Sequence, residues 1–295
     1  MGDTHFSGRL YQMGVPVGQH DPTAGKVIYV NGTTWGDPAG SDTSGDGSMD
    51  HPYQSIAHAL DQCTAEHNDY IYVTDYWDGN SEDMPIVVDV DNVHIIGRTG
   101  SGMPWPMIYV SGATAGFNIT ANHVEIAGFH VYGGTTSGCI EISATNKGIE
   151  IHDCYFGERT TGQDGIRVNS GYDAAELHVH HCMFGAQLTR YGIYIVTTAT
   201  WGKFNNNSFV SVPNKNIYCA TGGAVLAEIC NNRFAQHSDT KGLAITLAGN
   251  NCLIDGNVAN IGVTAAAQNP YLDTGSNDWL LNYIKGITAS MPATA

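Results

Sequence analysis

The sequence predicts an all-β fold, a right-handed single-stranded parallel β-helix with a short capping helix at each end. Three observations carry this: a repeat of about 25 residues, apolar alternation at i and i+2 inside each repeat, and a composition rich in glycine and poor in charge. The segments HVEIAGFHV, GIEIHDCYF, ELHVHHCMF, GKFNNNSFV, LAEICNNRF and CLIDGNV align on Val131, Phe156, Phe184, Phe209, Phe234 and Val258, with steps of 25, 28, 25, 25 and 24 residues. Five positions earlier lie Ile126, Ile151, Val179, Phe204, Ile229 and Leu253. A second series, starting at Phe117, Ile140, Ile166, Ile193, Ile217 and Leu243, runs in step with the first.

Two interleaved series at one shared period describe a coil that returns repeatedly to the same walls. Leucine-rich repeats need a Leu-x-x-Leu-x-Leu frame that is absent, and no repeat has room for the dozen residues of a packed helix. Parallel strands, two or three to a coil, remain.

Between the two series the turn positions are polar: His152-Asp153, His180-His181, Asn206-Asn207 and Asn231-Asn232. Asn tolerates left-handed backbone and can hydrogen-bond its copy one coil away. Cys154 and Cys182 align two residues before their anchors and are expected to stack inside. This His/Cys/Asp column lacks the close ligand spacing of a zinc motif, so stacked core and turn residues are the simpler reading.

The chain has 295 residues with a net charge of −16, which disfavours duplex nucleic acid and anionic membranes as partners. Seven cysteines, scattered singly, fit free buried thiols made in a reducing host cytoplasm. The opening MGDTHFSGRLYQMGV has neither the basic nor the apolar region of a secretory signal, and no apolar run is long enough to span a bilayer.

Taken in order, residues 1–25 stand outside the repeat, punctuated by glycine and proline. Such an arm gains order only at a contact, with Phe6, Leu10, Tyr11, Met13, Val15 and Val17 as anchors. Around Thr4-His5-Phe6-Ser7-Gly8 it resembles the T-x-F-S-G-P-L openings of tailed-phage virion proteins, with Arg9 where proline is common. That resemblance implies a head decoration, fibre or tail protein attached through its arm, assembled as a trimer and located in the virion.

Residues 26–285 form the expected β-helix domain. It opens with the strand KVIYV, a Gly/Asp/Ser-rich loop ending in His51-Pro52-Tyr53, and a helix over 55–63. Ser55 is its N-cap, and Ile56, Ala59, Leu60 and Cys63 form one apolar stripe. This order of strand, loop and helix resembles the opening of pectin-lyase-like β-helix proteins. In that loop Asp37, Asp42, Asp46 and Asp50 are the candidate Ca²⁺ ligands; turn formation is their simpler role, and no cofactor is required. The polar loops at 74–85 and 98–110 bring Tyr76, Trp77 and Trp105 to the surface as candidate carbohydrate or partner contacts. After Val258 the repeat decays, and Trp279, Leu280, Tyr283 and Ile284 predict a C-terminal capping helix before the tail 286–295.

The pectin-lyase-like resemblance implies activity on polysaccharides, but the sequence lacks the residues for it. A single Asp164 stands in GQDGIRV where hydrolases of that class carry a pair, no His-Gly step follows, and Arg-x-Lys is absent. Glu158, Asp164 and Arg167 are the best catalytic candidates available. A structural phage protein is therefore the expectation, with a polysaccharide-binding or polysaccharide-degrading β-helix as its alternative.

Overall fold

The computed structural model describes residues 10–12, 15–17, 25–32, 38–74, 82–98, 105–110, 112–157, 163–186, 188–220, 222–235, 243–260, 270–285 and 293–294. Within these, the chain is a parallel β-solenoid. Its coils stack three long sheets of twelve, eight and nine strands, called I, II and III below. One coil reads Glu150–His152 in sheet I, Tyr155–Phe156 in sheet II and Asp164–Val168 in sheet III, before His178–His180 returns to sheet I.

The interior follows from the alternation. In sheet I, Ile126, Ile151, Val179, Phe204 and Ile229 occupy one register line and are all fully buried. In sheet II, Val131, Phe156, Phe184, Phe209 and Phe234 do the same. Four of those rings form one column, with successive centroids 4.9, 4.5 and 5.0 Å apart. Sheet III adds Phe117, Ile140, Ile166, Ile193 and Ile217. Identical neighbours at one strand spacing pack ring on ring and branch on branch, which is how a narrow coil fills its core.

The corner between sheets I and II needs left-handed backbone. Asp153, His181, Asn206 and Asn231 have φ between 51° and 58°, and Gly256 takes the same place at 64°. The next position carries a buried asparagine ladder. The Asn207 side chain donates to Val179 O (2.9 Å) and to Asn232 Oδ1 (3.1 Å); Asn232 and Asn257 repeat the pattern one coil further on each time. Cys154 and Cys182 are buried and stack inside as expected, Cys182 N donating to Asn207 Oδ1 at 3.0 Å.

The N-terminal helix spans Ile56–Asp61, shorter than the expected 55–63. Ser55 caps it through a 3.1 Å bond from His58 N, and Ile56, Ala59 and Leu60 enter the core. No helix among the described residues is long and apolar enough to cross a membrane.

Three expectations are corrected at the C-terminal end. Interior positions of the sixth repeat are Ile254 and Ala259, while Leu253 and Val258 are exposed. The coil keeps its 25-residue step here (229 to 254 and 234 to 259), so the apolar neighbour at each site falls on the outer face. In sheet III the partner of Ile217 is Ile245, not Leu243.

The expected C-terminal helix is replaced by strands Ser276–Trp279 and Tyr283–Lys285. Trp279 stacks in register on Ile254 and Ile284 on Ala259, while Leu280 and Leu281 face solvent. Asn282 extends the ladder, its Oδ1 accepting from Asn257 N at 3.1 Å. The exposed end of a parallel sheet offers backbone partners to the next segment, and that outweighs a short helical stripe.

Candidate functional site

Candidate residues of the sequence are dispersed. Glu158, Tyr76, Trp77 and Asp37 lie outside the described residues, as do the arm anchors Phe6 and Met13. Leu10, Tyr11 and Val15 fall in an antiparallel hairpin, Leu10–Gln12 with Val15–Val17. Asp42 is committed to the approach to the helix: Oδ1 accepts from Gln54 N (2.7 Å) and Ser55 N (3.0 Å), Oδ2 from Ser55 Oγ (2.6 Å). Asp46 accepts from Ser48 N at 2.9 Å; hydrogen bonding from the Ser48 side chain and then its backbone holds the Asp46 carboxyl below the ordinary value, and Asp50 is exposed. Trp105 stacks on Tyr155, 6.4 Å between centroids, against sheet II.

Asp164 and Arg167 instead meet on sheet III. On its outer face Glu141, Arg167, Tyr194 and Tyr218 occupy one register line in four successive coils. Beside them runs the line of Asp164, Tyr191 and Lys215, with Arg190 next to Tyr191. Asp164 has no exposed side-chain surface, and both its oxygens accept from the guanidinium of Arg190, Oδ1 from Nε at 2.9 Å. Burial pushes the Asp164 carboxyl up against the pull of Arg190, whose own pKa the carboxylate raises. Glu141 accepts from Gly138 N (3.1 Å) and Asn169 Nδ2 (3.1 Å) and lies 3.8 Å from Arg167 Nη1.

The cations are interleaved with rings. Arg190 lies 4.9 Å from the Tyr191 centroid and 5.2 Å from that of Tyr194; Lys215 Nζ lies 3.5 Å from Tyr218. Tyr194 and Tyr218 stack nearly parallel at 5.2 Å. The Arg167 Nε is buried without a hydrogen-bond partner among the described residues. Cation–π contacts hold these heads in place, and the Nε and Nη2 donors of Arg190 are taken up by Asp164. Asp164 is not placed for acid–base work, because a carboxyl sealed under a guanidinium cannot reach a leaving group.

A second polar cluster lies on sheet I. There Glu125 bridges two histidines, Oε2 to His94 Nδ1 (2.5 Å) and Oε1 to His152 Nε2 (2.8 Å), and His152 Nδ1 meets Asp153 Oδ2 at 2.8 Å. One coil on, Glu150 Oε1 lies 2.8 Å from His180 Nε2 and 3.5 Å from His178 Nδ1. The sequence showed His152 and His180 in a polar turn column whose simpler reading was stacked turn residues rather than a metal site. Their carboxylate partners lie 27 and 30 positions away, so the coil spacing was the signal that connects them.

A chain whose coils stack three parallel sheets around an apolar core is a parallel β-helix, and solved structures share that fold. The chain is similar to the pectin methylesterase PemA from Erwinia chrysanthemi, at 11% identity and a TM-score of 0.51, over 90% of this chain and 92% of that one. It is similar to the pectate lyase Pel9A at 16% identity and a TM-score of 0.51, over 90% and 79% of the two chains. A Dettilon tailspike protein also matches, at 11% identity and a TM-score of 0.31, over 88% and 68%. The first two are right-handed β-helices, and this chain has their fold. It belongs to the family described as protein of unknown function DUF1565, matched over residues 38–279. No curated protein matches its sequence.

Proposed function

We propose that the protein binds an acidic polysaccharide along the outer face of sheet III, without cleaving it. The observation that carries this reading is a concentration of charge. Of twelve basic residues in a chain of net charge −16, Arg167, Arg190 and Lys215 gather on this face, each beside a tyrosine ring. The contacts repeat at about 4.8 Å from coil to coil, on the scale of one sugar ring. Guanidinium donors suit carboxylates, and aromatic edges suit the apolar faces of sugars. The two β-helices named above act, by their names, on pectin and pectate, which agrees in substrate class.

The test is binding of polygalacturonate and of an uncharged glucan to the intact chain, with Arg167→Ala and Tyr194→Ala as variants. Selective retention of the acidic polymer, weakened about tenfold in either variant and by added salt, is expected. Equal retention of both polymers, or of neither, removes the reading. Release of reducing ends or unsaturated uronates would make the protein an enzyme instead.

A second reading is a structural component of a tailed-phage particle, in which residues 1–25 attach and 26–285 form the β-helix; the expected tail 286–295 does not simply trail, because Ala293–Thr294 pair with Leu272–Asp273 in sheet III. Its support is that, among the described residues, the arm hairpin pairs with itself and not with any coil sheet. On this reading Leu10, Tyr11 and Val15 dock on a partner virion protein or on neighbouring copies in a trimer, while the helix Ile56–Asp61 closes one end of the coil. Deleting residues 2–22 is expected to leave circular dichroism and melting unchanged but to reduce oligomer size or particle incorporation. A deletion mutant that assembles normally sinks it.

A further inference from the structure

We infer that Glu150, His178 and His180 bind one divalent transition-metal ion of the zinc class, with one coordination position left open. Among the described residues this is the group of three His, Cys, Asp or Glu whose ligand atoms lie within 4.8 Å of one another. His178 and His180 stand at i and i+2 on one strand, so both rings leave the same face of sheet I, and Glu150 is the register partner of His178 one coil before. Zinc–nitrogen and zinc–oxygen bonds of about 2.0–2.2 Å in a tetrahedron place ligand atoms about 3.3–3.5 Å apart. Glu150 Oε1 is already 3.5 Å from His178 Nδ1, and its 2.8 Å contact with His180 Nε2 needs to open by about half an ångström.

Glu125 uses both oxygens, one for each of two histidines. Glu150 directs the same oxygen at both His178 and His180, and its Oε2 takes no hydrogen bond among the described residues. One oxygen converging with two imidazole nitrogens is an arrangement that suits a cation.

An outer partner is also in place. His180 Nδ1 lies 2.8 Å from His181 Nδ1, so these two nitrogens share a proton. In the tautomer where His180 donates it, Nε2 carries a lone pair facing a carboxylate oxygen. That lone pair is the form in which an imidazole ligates a metal ion, and the Glu150 oxygen beside it is a second donor. The side chains of His178, His180 and Glu150 are 35%, 16% and 44% exposed, so an ion can reach them. Lys203, the register partner on the far side of His178, leans away to Glu228, 3.8 Å from its Oε2.

Calorimetric titration of the chelator-stripped, full-length protein with Zn²⁺ tests the assignment, and uptake of Co²⁺ gives a second readout through its tetrahedral visible absorption. One equivalent bound, a melting temperature raised by Zn²⁺, and at least tenfold weaker binding in His178→Gln, His180→Gln and Glu150→Gln are expected. His94→Gln, two coils away, serves as the control and keeps wild-type binding. Because the chain has thirteen histidines and seven cysteines, Zn²⁺ binding that survives His178→Gln in a protein that melts normally overturns the assignment. Absence of Zn²⁺ uptake by the wild-type chain does so as well. His178 is the most exposed of the two histidines, so its variant carries the test should His180→Gln fail to fold.

Discussion

Asn232 Oδ1 accepts two hydrogen bonds from Asn207, one from the backbone N–H at 3.0 Å and one from the side-chain amide at 3.1 Å. Both residues are buried, and the same double bond joins Asn232 to Asn257. Each asparagine thus satisfies the backbone of a corner that no sheet ladder reaches. Replacing Asn232 by Ala leaves two donors of Asn207 without partners and removes the side-chain bond to the carbonyl of Phe204. A loss of about 2–4 kcal/mol is expected in denaturant unfolding, since each buried unsatisfied group costs about 1–3 kcal/mol and part of it is recovered by relaxation. A change under about 0.5 kcal/mol would mean the ladder is decorative.

The phenylalanine column gives a second prediction. Phe184 is fully buried between Phe156 and Phe209. Phe184→Ala should cost about 3–5 kcal/mol through lost burial and the cavity left behind. Gly165 makes room for the same ring: a methyl there would lie 2.6 Å from Phe184 Cδ1 and 2.7 Å from Gly192 O. Gly165→Ala is therefore expected to destabilise as well, although alanine at a strand glycine normally stabilises. Unaltered melting of Gly165→Ala would count against the packing described.

The Glu125–His152 contact sets a pH dependence. Hydrogen bonds from His152 and His94 hold the Glu125 carboxyl down at about 2, against an ordinary 4.5. Stability from a depressed carboxylate is present above the unfolded value and is lost as pH falls from about 4.5 through about 2. Burial pulls the His152 imidazole down, but Glu125 and Asp153 outweigh it and raise it to about 9 from 6.5. That contribution is present below 6.5 and is lost as pH rises through about 9. In the presence of a chelator, the gap in melting temperature between wild type and Glu125→Gln should be widest between those limits and narrow on both sides. A gap independent of pH would rule out this coupling.

The seven cysteines are all unpaired. Burial pushes the thiols of Cys63 and Cys139 up to about 12, so the reactive thiolate is scarce at neutral pH. Thiol titration should return seven groups in denaturant and react far more slowly in the native protein. A pair protected in denaturant without reductant would contradict it.

Much of the fold was legible because alternation and period are local properties. Phe156, Phe184, Phe209 and Phe234 announce an interior column by type and spacing alone, and Asn206 and Asn231 mark the left-handed corner. The site was less legible. Asp164 and Arg167 were visible as candidates, yet the partner that removes Asp164 from acid–base work is Arg190, 26 residues on.

By itself the sequence determined the solenoid, its 25-residue step, the free cysteines and the identity of the inward residues through most coils. Tertiary structure decided three things. Ile254 rather than Leu253 faces the core, because coil length and not residue type sets the register. Residues 276–279 and 283–285 form strands, because the open sheet end supplies backbone partners to a segment that alone reads as helical. The charged outer residues segregate into an arginine–tyrosine face on sheet III and a histidine–carboxylate face on sheet I. Period-two alternation says only that such residues point outward. Which of them touch depends on the length of each turn, since residues 25–30 positions apart become neighbours only once the coil has closed.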